Sequence, residues 1–180
     1  MGDNQIMEHM FYIPLFHYKV ENWDSKKQFL LQLYQSVQEH CESGAVTTNY
    51  HKDCIKIKQD IGYLFHPEIK KFVNEINYKS YDVSNAWFEL STKHNYHGIH
   101  NHGPTGYSSV CFVNYDENEH TSTQFLSPFN NFMDGTVLGH NPQNITEGSI
   151  IFFPSSINHY TDPSQSDKER LVVSFNLQIL

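Results

Sequence analysis

The sequence predicts an α+β fold, mainly β, with early helices packed against one sheet. Two observations predict it. Helix-spaced apolar stripes are confined to the first half of the chain. From about Val83 onward, short β-rich runs alternate with turn residues, the pattern of a sandwich or barrel. Length agrees, since 180 residues make one domain of ordinary size. Residues 1–82 read as helical and N-terminal support, and residues 83–180 as the β core.

The first helix is expected from Ser25, whose spacing to Gln28 makes a capping box. Phe29, Leu30, Leu33 and Val37 follow at helical spacing, and Gly44 stands where the helix would end. Pro67 opens a second helix, with Ile69, Phe72, Val73 and Ile76 along one face. Strands are expected at Ala86–Leu90, Ser108–Asn114, Thr123–Leu126, Ser149–Phe153 and Leu171–Leu177. Turn pairs such as Gly103-Pro104, Asn141-Pro142 and Asp162-Pro163 separate them.

Charge narrows the function classes. The net charge is −8, with no cluster of Lys and Arg. A nucleic-acid groove and an anionic membrane surface both need such a cluster, so neither partner is expected. A hydrophobic share of 38% with 13 Phe, 11 Tyr and 2 Trp supplies a packed core rather than a disordered chain. No apolar run approaches the ~18–20 residues of a membrane helix. A basic segment followed by an apolar stretch is missing at the N-terminus, so a cytoplasmic protein is expected. Cys41, Cys54 and Cys111 are odd in number and form no Cys-x-x-Cys, which reads as reduced thiols. Oligomeric state is not legible.

Two counts remain. His numbers 12, as many as Lys and Arg together, and Arg170 is the single Arg. His94, His97, His100 and His102 fall within nine residues. In an extended segment residues i and i+2 share a side, so His100 and His102 can reach one metal. Neutral imidazole suits Fe, Zn, Cu and Ni. A lone His-x-His is also what a His-rich loop would show. His159 follows, just past the Ile150–Phe153 run and the Pro154-Ser155 turn. Arg170 comes 11 residues later, at the mouth of a strand that reads as buried. Its bland role is a salt bridge with Asp167 or Glu169. His94 and His97 are expected near the site, facing substrate, or exposed. His9, His17, His40, His51, His66, His120 and His140 are expected on surfaces or in loops. Trp87 reads as core, and Asn176 as pointing inward from the last strand.

This order resembles the iron(II)/2-oxoglutarate-dependent oxygenases: His-x-(Asp, Glu or His), a long gap, a distal His, then Arg about ten residues later. A closer likeness is to a subgroup of small oxygenases common in marine bacteria and their phages. The matching stretches are Ala86-Trp87, His100-Asn101-His102, Ser108 to Phe112 and Glu147 to Ser155. Asn158-His159-Tyr160, Asp167 to Arg170 and Ser174-Phe175-Asn176 complete them. The likeness covers Val83 to Leu177.

The resemblance implies a double-stranded β-helix of the jelly-roll, cupin-like type, with the N-terminal helices packed on one sheet. It implies His100, His102 and His159 as metal ligands. Arg170 would grip the distal carboxylate of 2-oxoglutarate, with a fork that Lys cannot copy. Tyr107, Phe112 and Asn114, in or beside the following strand, are expected to line the co-substrate pocket by alternation. The cofactor set would be Fe(II), 2-oxoglutarate as co-substrate and O2. The reaction would be hydroxylation of an unactivated C–H with release of succinate and CO2, in the host cytoplasm if a phage encodes the protein. Substrate would be a small molecule or peptide: a free amino acid, a peptidyl Pro or Lys, or a small metabolite.

One departure is equally informative. The usual facial triad has two His and a carboxylate, and His102 stands where that carboxylate belongs. No Asp or Glu occurs between Leu90 and Tyr115. Three neutral imidazoles leave the site one negative charge short, unless a distant carboxylate such as Asp134 or Asp162 arrives. Two alternatives stay open. One is a three-His cupin-type metalloprotein without 2-oxoglutarate. The other is a non-enzymatic jelly-roll binding module.

Overall fold

The computed structural model describes residues 11–52 and 55–180. Cys54 and His9 lie outside them. The described elements are β1 (Phe16–Lys19), α1 (Trp23–Val37), a 3-10 turn (Gln38–His40), β2 (Glu42–Ser43), β3 (Thr47–Thr48), α2 (Ile55–Leu64) and α3 (His66–Glu75). Then follow β4 (Tyr81–Ser91), β5 (His97–His100), β6 (Tyr107–Asn114), β7 (Gln124–Asn130), β8 (Val137–His140), β9 (Ser149–Pro154), β10 (His159–Thr161) and β11 (Arg170–Ile179).

The strands form two antiparallel sheets. The larger has the order β1-β9-β6-β11-β4-β3-β2, the smaller β5-β10-β7-β8. The expected two-sheet jelly roll with helices on one side is present. Both faces of the large sheet are covered, and the strands show it. Along β11, Leu171, Val173, Phe175 and Leu177 face the helical core, while Val172 packs in the core between the sheets. In β9, Ile150 and Phe152 face the helices, and Ile151 and Phe153 face the small sheet. A strand buried on both faces reads as a continuous apolar run, and that is why these were legible. Aromatic rings tie the layers: Phe72 of α3 stacks on Phe152 at 4.6 Å. Glu68 of α3 is buried and paired with Lys26 of α1 at 2.8 Å.

Several boundaries differ from expectation. Helix α1 begins at Trp23, with Asn22 at its cap and no side-chain capping bond, so Ser25 lies inside the helix. It ends at Val37 and passes through the 3-10 turn, which places Gly44 in the β2–β3 turn. Pro67 does occupy the first turn of α3. A helix α2 precedes it, unseen in the sequence, with Ile57 and Ile61 buried at i, i+4 spacing. The short strands β1, β2, β3, β5, β8 and β10 were also unseen. Too few residues in each show an alternation. His120 lies in the β6–β7 loop, as expected, but is buried there: its Nδ1 accepts from the Asp116 N–H at 3.0 Å.

Candidate active site

The small sheet brings the histidines together by register. His100 ends β5, His159 opens β10, and the two are paired neighbours. His102 lies two residues past the end of β5, and its backbone N–H donates to the Ser155 carbonyl at 2.9 Å. The strand geometry expected for His100-Asn101-His102 therefore holds only at His100, yet the rings still converge. One ligand atom from each of His100, His102 and His159 lies within 4.8 Å of the others.

Hydrogen bonds set the tautomers. The Nδ1 of His100 donates to the Gly98 carbonyl at 2.7 Å, and that of His159 to the Ile157 carbonyl at 2.9 Å. Each neutral ring then carries its lone pair on Nε2, the arrangement that readies a ligand. The Nε2 atoms of His102 and His159 lie 3.2 Å apart. Burial, then the charge of His100, lowers His102 to about 4 and His159 to about 3. His100 is also lowered, by burial and the charge of His97. Three uncharged nitrogen donors facing one point fit a divalent first-row metal.

Behind them is Arg170, 5% exposed, at the start of β11. Its Nε has no hydrogen-bond partner, and no ion pair reaches the guanidinium among the described residues. The expected alternative partners are elsewhere: Asp167 pairs with Lys93 at 2.9 Å, and Glu169 is exposed. The Phe112 ring lies under the guanidinium at 5.6 Å. A buried cation with an orphaned donor is costly unless an anion joins it. Arg170 and the three histidines line one cavity, together with Thr123, Tyr160 and Ser174.

The sequence matches the family described as "Putative 2OG-Fe(II) oxygenase" over residues 85–176. The chain belongs to this oxygenase family. No curated protein matches it. Among solved structures it is similar to a prolyl-4-hydroxylase of Pseudomonas putida, with TM-score 0.60, 12% identity and 91% of each chain covered. The viral collagen prolyl hydroxylase of Paramecium bursaria Chlorella virus 1, in complex with 2-oxoglutarate, has TM-score 0.60 and 11% identity. There 92% of this chain and 96% of that one are covered. HygX of Streptomyces hygroscopicus, with nickel, 2-oxoglutarate and hygromycin B bound, has TM-score 0.64 and 8% identity, covering 91% and 82%. At these identities the likeness shows the fold, and the family match shows an Fe(II)- and 2-oxoglutarate-dependent enzyme.

The oxygenase places the other expected residues unevenly. Phe112 faces the Arg170 side. Tyr107 is on the opposite face of β6, 4.9 Å from the Phe72 ring, because odd-numbered residues there face the helices. Asn114 is exposed at the strand end, its Nδ2 donating to the Glu169 carbonyl at 3.0 Å. None of the three, Phe112 included, is among the residues lining the cavity. Asp134 is bonded within its own turn to Thr136, and Asp162 accepts from Gln124. Neither joins the histidine group. Trp87 is 2% exposed and lines the cavity as well.

The oxygenase also holds a residue that sequence reasoning missed. Glu89 lines the same cavity, buried, accepting from Trp87 Nε1 at 2.7 Å and paired with His97 Nδ1 at 3.1 Å. Burial pushes its carboxyl up, but His97, Trp87 and Arg170 outweigh burial and hold it at about 2. Burial also opposes the charge on His97, and Glu89 outweighs that, so His97 is raised. The signal was available: Trp87 and Glu89 are at i, i+2 on one strand and share a face. Glu89 stands one residue before the carboxylate-free stretch from Leu90 to Tyr115.

Proposed function

We propose that the oxygenase hydroxylates an unactivated C–H of an amino acid, a peptidyl residue or a small metabolite, releasing succinate and CO2. One observation carries this reading: the buried guanidinium of Arg170, whose Nε has no hydrogen-bond partner, faces the same cavity as the three converging imidazoles. His100, His102 and His159 would hold Fe(II). Arg170 would bind the distal carboxylate of 2-oxoglutarate through two parallel hydrogen bonds. Bound there, Fe(II), 2-oxoglutarate and O2 supply the oxidising chemistry.

The protein's own work is positioning. The carbonyls of Gly98 and Ile157 fix the ring tautomers. Phe112 and Val172 keep the guanidinium end dry, which strengthens its attraction for a carboxylate. No side-chain base or nucleophile is required. The missing carboxylate ligand is offset by the anionic co-substrate itself. Residues 83–180 supply every proposed ligand, and the helices of the first 82 residues support the large sheet. The reading places the oxygenase in the cytoplasm, where the free thiols of Cys41 and Cys111 would stay reduced.

Arg170→Lys tests it. The variant is expected to bind Fe(II) normally and to raise the KM for 2-oxoglutarate by about 10–100-fold, the loss of a charge-assisted pair. Turnover that keeps its 2-oxoglutarate affinity after this change overturns the assignment and leaves the three-His metalloprotein without 2-oxoglutarate.

A further inference from the structure

A second cavity, of about 290 Å³, opens beside the histidines. Tyr50, Trp87, Glu89, Asn101 and His102 line it, with Tyr50 edge-on to Trp87 at 4.8 Å. Its charge is specific. Glu89 is its carboxylate, His97 lies against that carboxylate, and no Lys or Arg is among the lining residues. Arg170 lines the other cavity. The one cationic group here, His97, is taken up by Glu89, so a free amino acid or a phosphorylated metabolite would bring an anion with no unpaired cation to meet it, and burying such a charge unpaired is costly.

Strand β5 borders this cavity through His97 and His100. It is the outermost strand of the small sheet, paired with β10 on one side and with no strand on the other among the described residues. Edges that avoid new partners carry Lys, Pro or inward charges. This one reads His-Gly-Ile-His, and Ile99 is 64% exposed.

Gly98 sits inside β5 without an internal reason. Its φ is not in the left-handed region, and an added Cβ would meet nothing within 4 Å. Glycine in a strand interior weakens the strand, and close approach of another backbone is one reason to keep it.

We propose that the oxygenase acts on a residue within a polypeptide, which binds extended as an added strand along the free edge of β5 and places one side chain in the Tyr50–Trp87 cavity. This rests on the hydroxylase reading above and names its substrate class. A peptide backbone is neutral, so it needs no cation. Its N–H and C=O groups are what an open edge pairs with, and the pockets beside the edge select side chains. An added strand runs about 4.8 Å from β5, which carries the substrate past His100, the last residue of that strand.

The test offers a random-sequence dodecapeptide library, and separately a mixture of free amino acids, to the Fe(II)-loaded protein with 2-oxoglutarate. Peptides are expected to gain one oxygen atom and to stimulate succinate release, and free amino acids to do neither. Backbone N-methylation of a modified peptide should weaken its binding about tenfold or more, the loss of one or two strand hydrogen bonds. Hydrogen exchange supplies a readout independent of turnover: that peptide should slow amide exchange at Gly98, whose N–H lies on the outer edge by alternation from the His97 N–H that donates to Thr161 Oγ1 of β10. Gly98→Val, which folds because the space is open, should raise the peptide KM about tenfold by blocking the close approach. Three results each overturn the proposal: stimulation by free amino acids alone, no peptide modification by a protein that still binds Fe(II) and 2-oxoglutarate, or N-methylated peptides that bind equally well. Failure to bind Fe(II) and 2-oxoglutarate at all overturns the hydroxylase reading instead.

Discussion

His102 and His159 point their Nε2 atoms at one another across 3.2 Å, from positions 57 residues apart. His159 offers only a lone pair there, because its Nδ1–H is held by the Ile157 carbonyl. Without a cation, His102 supplies the proton of one hydrogen bond. With a cation, both rings present lone pairs and His100 completes a face.

His159→Gln therefore removes a ligand while keeping a polar group of similar size. Fe(II) affinity, measured by anaerobic titration, is expected to fall at least about 100-fold, since even the partners behind a ligand are worth about 10–100-fold. Unchanged affinity would remove His159 from the metal site.

The pH dependence follows from opposite shifts. His102 at about 4 and His159 at about 3 are below the ordinary histidine value of 6.5, so the unfolded chain binds more protons between those limits. Their contribution is present above pH 6.5 and is lost as pH falls through the folded values. Glu89, held at about 2, loses its contribution as pH falls from 4.5 toward 2. His97 runs the other way, contributing fully below 6.5 and losing it as pH rises through its raised value. With His100 lowered as well, three histidines against one predict a metal-free Tm that falls on acidification from about pH 7 to 4. Saturating Fe(II) should steepen the fall, because protons compete for the same nitrogens. Thermal melts across that range check both.

Glu89→Gln removes the charge and one acceptor: its Oε1 can still accept from Trp87 Nε1, but its Nε2 can only donate and no longer accepts from His97. His97 is 30% exposed at its side chain, so solvent screens part of the loss. The expected cost is about 1–2 kcal/mol in urea unfolding. The His97 pKa, followed by NMR, should drop from its raised value. A pKa that stays raised would mean another anion holds His97.

Gly106→Ala meets the backbone. The Gly106 φ is +85°, and a Cβ there would sit 2.4 Å from the Leu177 carbonyl oxygen. Strain and clash together predict a loss of about 2 kcal/mol or more. Gly106 lies between His102 and β6, so Fe(II) affinity should fall with stability. Equilibrium unfolding and iron titration on the same sample measure the two effects.

The legible parts of this oxygenase share a physical trait. Strands β6, β9 and β11 are apolar on both faces, and β4 turns Ala86, Phe88 and Leu90 to the helices, so local pattern revealed them. Helix α3 carried Pro67 in its first turn and a buried stripe of Ile69, Phe72 and Val73. Strands β5 and β10 have four and three residues, too short for any period, and they are the ones that hold His100 and His159. The histidines were found from spacing and family likeness, not from the strands that carry them.

By itself the sequence determined the α+β class, the buried central strands, the three histidines as a group and the importance of its single arginine. The first two follow from local periodicity, the histidines and the arginine from residue chemistry, spacing and family likeness. Only the tertiary structure decided that His159 pairs with His100, that the Nε of Arg170 has no hydrogen-bond partner among the described residues, that Tyr107 faces the helices, and that Glu89 lies against His97. Each depends on strand register and on which sheet face meets which layer. Contacts between residues distant in the chain are set by that packing, and no local pattern encodes them.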